Sequence, residues 1–145
     1  MGHSNNAPGG MSADQQIAML LNAHNQLPNP VTSVNMTRYV TIGSFGLGNS
    51  MVYSCAEYCK RGFWLAEIKH VVTHPAHRRK GYARAAVQAC IDKATTDSIM
   101  FVCMTTRVNN DPMIALAESF QFVRFKTRMN LTSGHDIIIW MKELL

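Results

Sequence analysis

The chain has 145 residues, of which 47% are hydrophobic and 16% are charged, as in an ordinary soluble globular protein. Its formal charge of +5 at pH 7 suits a polyanionic ligand without identifying one, since cofactor phosphates, nucleic acid and acidic membranes all qualify. No apolar run approaches the roughly 18 residues that span a bilayer. The composition therefore argues against a membrane-embedded protein.

The first eleven residues are rich in Gly, Asn and Pro and lack the basic and apolar regions of a signal peptide. We expect a flexible tail over residues 1–11 and one domain over residues 12–145. The cysteines, Cys55, Cys59, Cys90 and Cys103, match no zinc-binding spacing. Reduced, structural thiols are therefore expected, and they favour a cytoplasmic protein.

Ser12 and Gln15 have the spacing of a capping box, and apolar residues then recur at helical intervals, which predicts a helix over Ala13–Gln26. Runs rich in β-branched and aromatic residues follow, separated by turn-forming residues. They predict three strands, over Arg38–Phe45, Met51–Lys60 and Phe63–Thr73. The third strand is mostly apolar on both faces, as expected of a strand in the centre of a sheet.

A basic, glycine-containing turn comes next, and an apolar stripe over Ala83–Ala94 predicts a second helix. A buried strand is expected over Ser98–Thr105, and a third helix where Asp111 serves as the cap and Pro112 takes the favoured first position. Two final strands are predicted over Val123–Asn130 and Asp136–Met141. The order α-β-β-β-α-β-α-β-β indicates a mixed α/β layer protein.

The basic turn, Arg78–Ala83, joins a strand to the first turn of a helix. Backbone N–H groups in a first helical turn lack intrahelical acceptors and lie at the positive end of the helix dipole, so they attract anions. Gly81 lets the backbone approach a ligand closely, and the three basic residues Arg78–Lys80 add positive charge. The turn fits a diphosphate. The alternative is a basic turn that only caps the helix, because such turns are common.

A wider pattern, Thr73-x-Pro75-x-x-Arg78-x-x-Gly81-x-Ala83, resembles the acetyl-CoA signature R/Q-x-x-G-x-G/A of the GNAT superfamily of N-acetyltransferases. In that family the signature lies between the fourth strand and the third helix. Downstream, Asn110, a helix and Phe120-Gln121-Phe122 are similar to a second family segment in a degraded form. The resemblance implies a single-domain GNAT fold, in which a mixed central sheet of about six strands is flanked by helices.

Nothing before Ser12 matches the first strand of that family. The strand is therefore either missing or supplied by a partner, and a homodimer is one option.

The resemblance also implies a cofactor, acetyl-CoA, and its contacts. The backbone of Val71–Thr73 would hydrogen-bond the pantetheine arm as an extra strand, beside a splay between two neighbouring strands. The amides of Arg79–Arg84 would hold the pyrophosphate, Arg78 would brace the loop or contact phosphate, and Asn110 would contact the arm. The implied cofactor-binding residues are Val71, Val72, Thr73, Arg78, Arg79, Lys80, Gly81, Tyr82, Ala83, Arg84 and Asn110.

Glu67 is the candidate general base, because Ala66-Glu67-Ile68 looks like the strand of the histone-acetyltransferase branch whose Glu deprotonates the attacking amine. A lysine-type amine with a pKa near 10 is protonated at neutral pH and must lose a proton before it attacks a thioester. The alternative is a surface Glu paired with Lys69 or with a neighbouring strand. One of the nearby histidines, His70, His74 and His77, could assist or be structural, and no ligand spacing makes them a metal site.

The pattern departs from the family where a Tyr of the last helix protonates the departing thiolate, since Ala117 takes that place. The first hypothesis is an enzyme that acetylates a protein lysine, a protein N-terminus or a small amine. The second is a catalytically weak module of this fold that binds CoA or a protein. Nucleic-acid binding ranks last, because the basic residues are concentrated in one phosphate-sized turn.

Overall fold

The computed structural model describes residues 10–24, 26–47 and 49–144. Of the expected tail, residues 1–9 lie outside the described residues. Helices and strands follow in the order α1 (Ala13–Ala23), β1 (Tyr39–Gly46), β2 (Asn49–Lys60), β3 (Leu65–Thr73), α2 (Tyr82–Thr96), β4 (Phe101–Arg107), α3 (Asp111–Ser119), β5 (Val123–Met129) and β6 (Asp136–Glu143). This order is the one that the sequence predicts.

The six strands form one sheet in the order β1-β2-β3-β4-β6-β5. The pairing is mixed, since β3 and β4 run parallel, whereas β1–β2, β4–β6 and β5–β6 are antiparallel pairs. The expected α/β fold class with a mixed six-stranded sheet is thereby confirmed. β5 lies at one end of the sheet.

The described residues divide into two compact units, those within Met1–Tyr58 and His70–Cys90 and those within Cys59–Lys69 and Ile91–Leu145. In the first unit, the apolar face of α1 packs on strand residues. Gln16 adds a polar tie: its buried side chain donates to the Ser50 carbonyl at 2.7 Å and accepts from the Val52 amide at 2.9 Å. The core of this unit is formed by Ile17, Leu20, Leu21, Val52, Cys55 and Val72.

Helix α1 begins as expected, with the Ser12 amide donating to the Gln15 side chain at 3.1 Å. It ends at Ala23, three residues earlier than predicted. The Gln26 amide donates back to the Leu21 carbonyl at 2.9 Å, and this bond closes the helix before Pro28.

In the second unit, Trp140 is fully buried and its indole N–H donates to the Thr106 hydroxyl at 3.0 Å. Helix α3 is capped by Asn110, which accepts from the Met113 amide, and Asp111 is its first helical residue. The prediction that Asp111 is the cap was therefore wrong by one position. Asn110 supplies the same kind of acceptor, and Pro112 still lies in the first turn, where no intrahelical bond is lost.

Candidate active site

The turn that joins β3 to α2 has the backbone shape of a ligand cradle. A short 3-10 turn, Pro75–His77, precedes it, and α2 begins at Tyr82. Arg79 and Gly81 both have left-handed backbones, with φ of 63° and 79°. A Cβ atom added at Gly81 would have no heavy atom within 4 Å, so the space next to this residue is open.

The first amides of α2 point out of the hydrogen-bonded helix. Ala85 donates to the Gly81 carbonyl at 3.0 Å, so the amides of Gly81, Tyr82 and Ala83 precede the first helical bond. Within residues 10–24, 26–47 and 49–144, no side chain accepts a hydrogen bond from these three amides. The exposed side chains of Arg78–Lys80 lie alongside, so the turn combines the free amides and the positive charge on which the predicted anion site depends.

An aromatic cluster supports this turn within the same unit. The rings of Tyr53 and His77 are stacked with centroids 4.2 Å apart, and Tyr82 lies 5.0 Å from Tyr53. His74 accepts from the Ala76 amide at 3.0 Å. The pKa of His77 is lowered by desolvation and by the neighbouring His74 and Lys80. Two of the three clustered histidines therefore have structural contacts beside the turn.

His24, at the end of α1, is a residue that the sequence analysis missed. Desolvation lowers its pKa, and the nearby Arg78 and His74 lower it further. Its Nε2 atom is buried and has no hydrogen-bond partner among the described residues. The charged form of His24 is therefore disfavoured in the neighbourhood of the basic turn.

The end of β3 is held to β2 by side-chain as well as backbone contacts. The Ser54 hydroxyl donates to the Val72 carbonyl at 2.9 Å and lies 3.2 Å from the Thr73 hydroxyl. The register of β3 with β4 begins at Leu65 and has its last pair at Glu67. β3 itself continues to Thr73. Val71–Thr73 and Arg78–Arg84 thus belong to one unit, and Glu67 and Asn110 belong to the other.

Glu67 is paired with Arg61, which binds its Oε1 atom through Nε at 3.1 Å and Nη2 at 2.8 Å. The Glu67 side chain is 24% exposed. The alternative to a catalytic Glu67 was a Glu in an ion pair with Lys69 or with a neighbouring strand. Glu67 does form an ion pair, but its partner is Arg61, in the loop after β2. Cys103 lies opposite Glu67 in the register, and burial together with the Glu67 charge raises the pKa of this thiol to about 11.

Glu57 was not found from the sequence, whereas its partner His70 was one of the three histidines considered there as an aid to proton transfer. Glu57 on β2 is buried, with its Oε1 2.6 Å from His70 Nδ1 and its Oε2 2.9 Å from Arg38 Nη2. His70 has a left-handed backbone with φ of 53° inside β3, a conformation that costs about 1–3 kcal/mol for a residue other than glycine. An imidazole held through Nδ1 by a carboxylate is suited to proton transfer through Nε2.

Asn110 caps α3, and Ala117 lies on this helix. The side-chain oxygen of Asn110 faces the Met113 amide at 3.4 Å, which leaves its NH₂ group as a donor. Ala117 is fully buried. Among the described residues, no cluster of three His, Cys, Asp or Glu side chains has the geometry of a metal site. In the same residues, no helix is both long and apolar enough to cross a membrane.

Solved structures with the same fold include several acetyltransferases. The NatC complex bound to Gag peptide and CoA matches with a TM-score of 0.70 and 17% identity, covering 92% of this chain and 93% of that one. The ribosomal-protein-S18-alanine N-acetyltransferase from Escherichia coli matches with a TM-score of 0.66 and 18% identity, covering 92% and 90%. The yncA protein from Salmonella typhimurium, with its cofactor acetyl-CoA, matches with a TM-score of 0.69 and 20% identity, covering 97% and 94%.

No match was found among curated protein sequences. The profile of the acetyltransferase (GNAT) family matches residues 44–122, which is more than half of the chain and includes both the basic turn and α3. The chain belongs to the acetyltransferase (GNAT) family.

Proposed function

We propose that this protein transfers the acetyl group of acetyl-CoA to a primary amine by direct attack of the amine on the thioester. Family membership supports acetyl transfer, and the fold is shared with proteins crystallised with acetyl-CoA or CoA. The acceptor is a protein lysine, a protein N-terminus or a small amine. Peptide amines are the first to test, because a peptide and a ribosomal protein are named in two structures that share the fold.

One observation carries the proposal: at the first turn of α2, the amides have no side-chain partner among the described residues and lie beside open space and three cations. The diphosphate of acetyl-CoA would accept hydrogen bonds from the amides of Arg79–Arg84, with Arg78 bracing the turn. The backbone of Val71–Thr73 would bind the pantetheine arm, and the Asn110 NH₂ group would donate to it. The residue types of the basic turn match the chemistry of a diphosphate, whereas the roles of Val71–Thr73 and Asn110 are those that the family resemblance implies.

The reaction requires two deprotonations of the nitrogen and one departure. The ammonium loses one proton to a base, the free amine bonds to the thioester carbonyl carbon, and the C–S bond then breaks to release CoA as a thiolate. The second nitrogen proton leaves as the amide forms, and the thiolate can take it up. Strand amides would polarise the carbonyl oxygen as negative charge develops on it. A thiol has a pKa near 8.5, so the thiolate can leave without an acid at the Ala117 position. The lack of a general acid at Ala117 also fits the second candidate function, a CoA-binding module with weak turnover.

Glu67 is the base that we propose, and the Glu57–His70 pair is the competing one. Arg61 donates two hydrogen bonds to Oε1 of Glu67, and these would fix the position of the carboxylate. His70 would accept a proton at Nε2, with Glu57 stabilising the imidazolium. We expect Glu67→Gln to lower kcat at least about tenfold without weakening acetyl-CoA binding. The matched variant His70→Gln should retain most of the wild-type kcat, and the opposite ranking would transfer the role of base to His70.

Two measurements test the function as a whole. Saturating acetyl-CoA, at 100 times its Kd, should stabilise the protein by about 2.7 kcal/mol and raise Tm by several degrees. CoA release, followed with a thiol reagent over a panel of peptide and small amines, should then require an amine. Stabilisation without amine-dependent release would favour the binding module. Absence of both would refute the proposal.

A further inference from the structure

The edge strand β5 is exposed along its whole length. It is the last strand of the sheet order, so its pairing with β6 occupies one side of the strand only. All seven residues are exposed, and the apolar ones are prominent: Val123 is 67% exposed and Phe125 68%. An edge strand presents a row of backbone N–H and C=O groups to which another chain can pair.

The charges on β5 are all positive and are not neutralised in the part of the chain that the structure describes. Arg124, Lys126 and Arg128 form no ion pair with a carboxylate there. The Arg124 guanidinium lies 5.3 Å from the centroid of the Trp140 ring, a cation–π contact that holds it on the strand.

The strand register divides these cations between the two faces of the sheet. Arg124 is opposite Trp140 and Lys126 is opposite Ile139, with a bulge between them. Neighbouring residues of β6 point to opposite faces, so Arg124 lies on one face and Lys126 on the other. Arg128, opposite Ile137, shares the face of Lys126. Two cations are therefore spaced like side chains i and i+2 of a strand, about 6.7 Å apart along it.

We propose that the free edge of β5 binds an extended acidic peptide, which adds to the sheet as a seventh strand. Backbone hydrogen bonds along the edge would give affinity, and carboxylates at alternate peptide positions would pair with Lys126 and Arg128. Charge complementarity decides the partner. A second copy of β5 in the same place would bring basic residues next to basic residues, which opposes edge-to-edge dimerisation.

The opposing interpretation is that these cations only protect the edge. Basic side chains on edge strands are a known device against unwanted pairing. That interpretation predicts that peptides of any charge fail to bind.

The test uses the full chain and a fluorescein-labelled peptide of alternating Glu and Thr, followed by fluorescence anisotropy at low salt without acetyl-CoA. We expect saturable binding that is at least tenfold weaker for the double variant Lys126→Glu/Arg128→Glu. The charge-matched control Lys60→Glu/Arg107→Glu reverses two exposed cations outside β5 and should bind like wild type. A peptide with alternate N-methylated amides should not bind, because it cannot extend the sheet.

Three results would overturn the proposal. The first is an acidic peptide Kd weaker than about 1 mM, or equal affinities of the two double variants. The second is a dimer in sedimentation that dissociates in the β5 variant, which would assign the edge to a second copy. The third is undiminished binding of the N-methylated peptide together with binding of oligothymidylate, which would indicate nonspecific polyanion attraction. Circular dichroism of each variant is the control for retention of the fold.

Discussion

The substitution Gly81→Glu separates the ligand role of the basic turn from its backbone strain. Gly81 has φ of 79° and open space around a virtual Cβ, and Gly134, in the β5–β6 turn, has φ of 73° and equally open space. A residue other than glycine in this conformation costs roughly 1–2 kcal/mol. We therefore expect Gly81→Glu and Gly134→Glu to lower Tm by similar amounts, about 2–8 °C. The two variants have similar backbone strain, but only Gly81 lies in the basic turn.

Affinity should distinguish the two variants sharply. A carboxylate about 4 Å from a phosphate charge is repelled by about 4 kcal/mol at the effective dielectric constant of a protein surface. Even if half of that energy is lost by side-chain rotation, acetyl-CoA binding to Gly81→Glu should weaken by at least about 30-fold. Gly134→Glu should bind like wild type in isothermal titration calorimetry. Equal affinities in the two variants would refute the placement of the diphosphate at this turn.

Two further predictions concern buried polar groups. The pKa of His24 is lowered in the folded chain, so its contribution to stability is complete above the unfolded value of 6.5 and is lost as the pH falls below it. Between pH 7 and pH 5, the Tm of His24→Gln should therefore fall less than the Tm of the wild type. An equal fall of Tm in the two proteins would contradict the lowered pKa of His24. Thr106→Val removes the acceptor of the buried Trp140 N–H and should destabilise the protein by about 1–3 kcal/mol in urea unfolding, whereas Thr105→Val, at an exposed position, should change little.

The order of elements could be predicted because it depends on local periodicity. Element ends were less accurate, since hydrogen bonds between distant residues decide them. The sequence predicts β4 from Ser98, but the amides of Ser98 and Ile99 bond back to α2, and Ser98 has φ of 58°. β4 therefore begins at Phe101. Ile99 is apolar because it is buried in the core next to the end of α2, and it does not belong to the strand.

The local structure of the basic turn was predictable because its residues are contiguous. The basic turn needs only a glycine, its neighbours and a following helix, all visible in one stretch of sequence. Glu57 and His70 are thirteen positions apart on two strands, and their contact depends on strand geometry that no local pattern specifies. A buried carboxylate in the apolar strand β2 was the available signal, because such a group needs a cationic partner. Arg61 as the partner of Glu67 likewise depends on the path of the loop after β2.

The most direct measurement is a titration of ¹⁵N-labelled protein with CoA, followed by amide NMR. Diphosphate binding at the first turn of α2 predicts that the amides of Gly81, Tyr82 and Ala83 shift the most and move downfield as they donate to phosphate oxygens. The amide of Gly134 serves as the internal reference and should not move. If saturation with CoA changes the chemical shifts of other amides but not those of the Gly81–Ala83 amides, the account is contradicted.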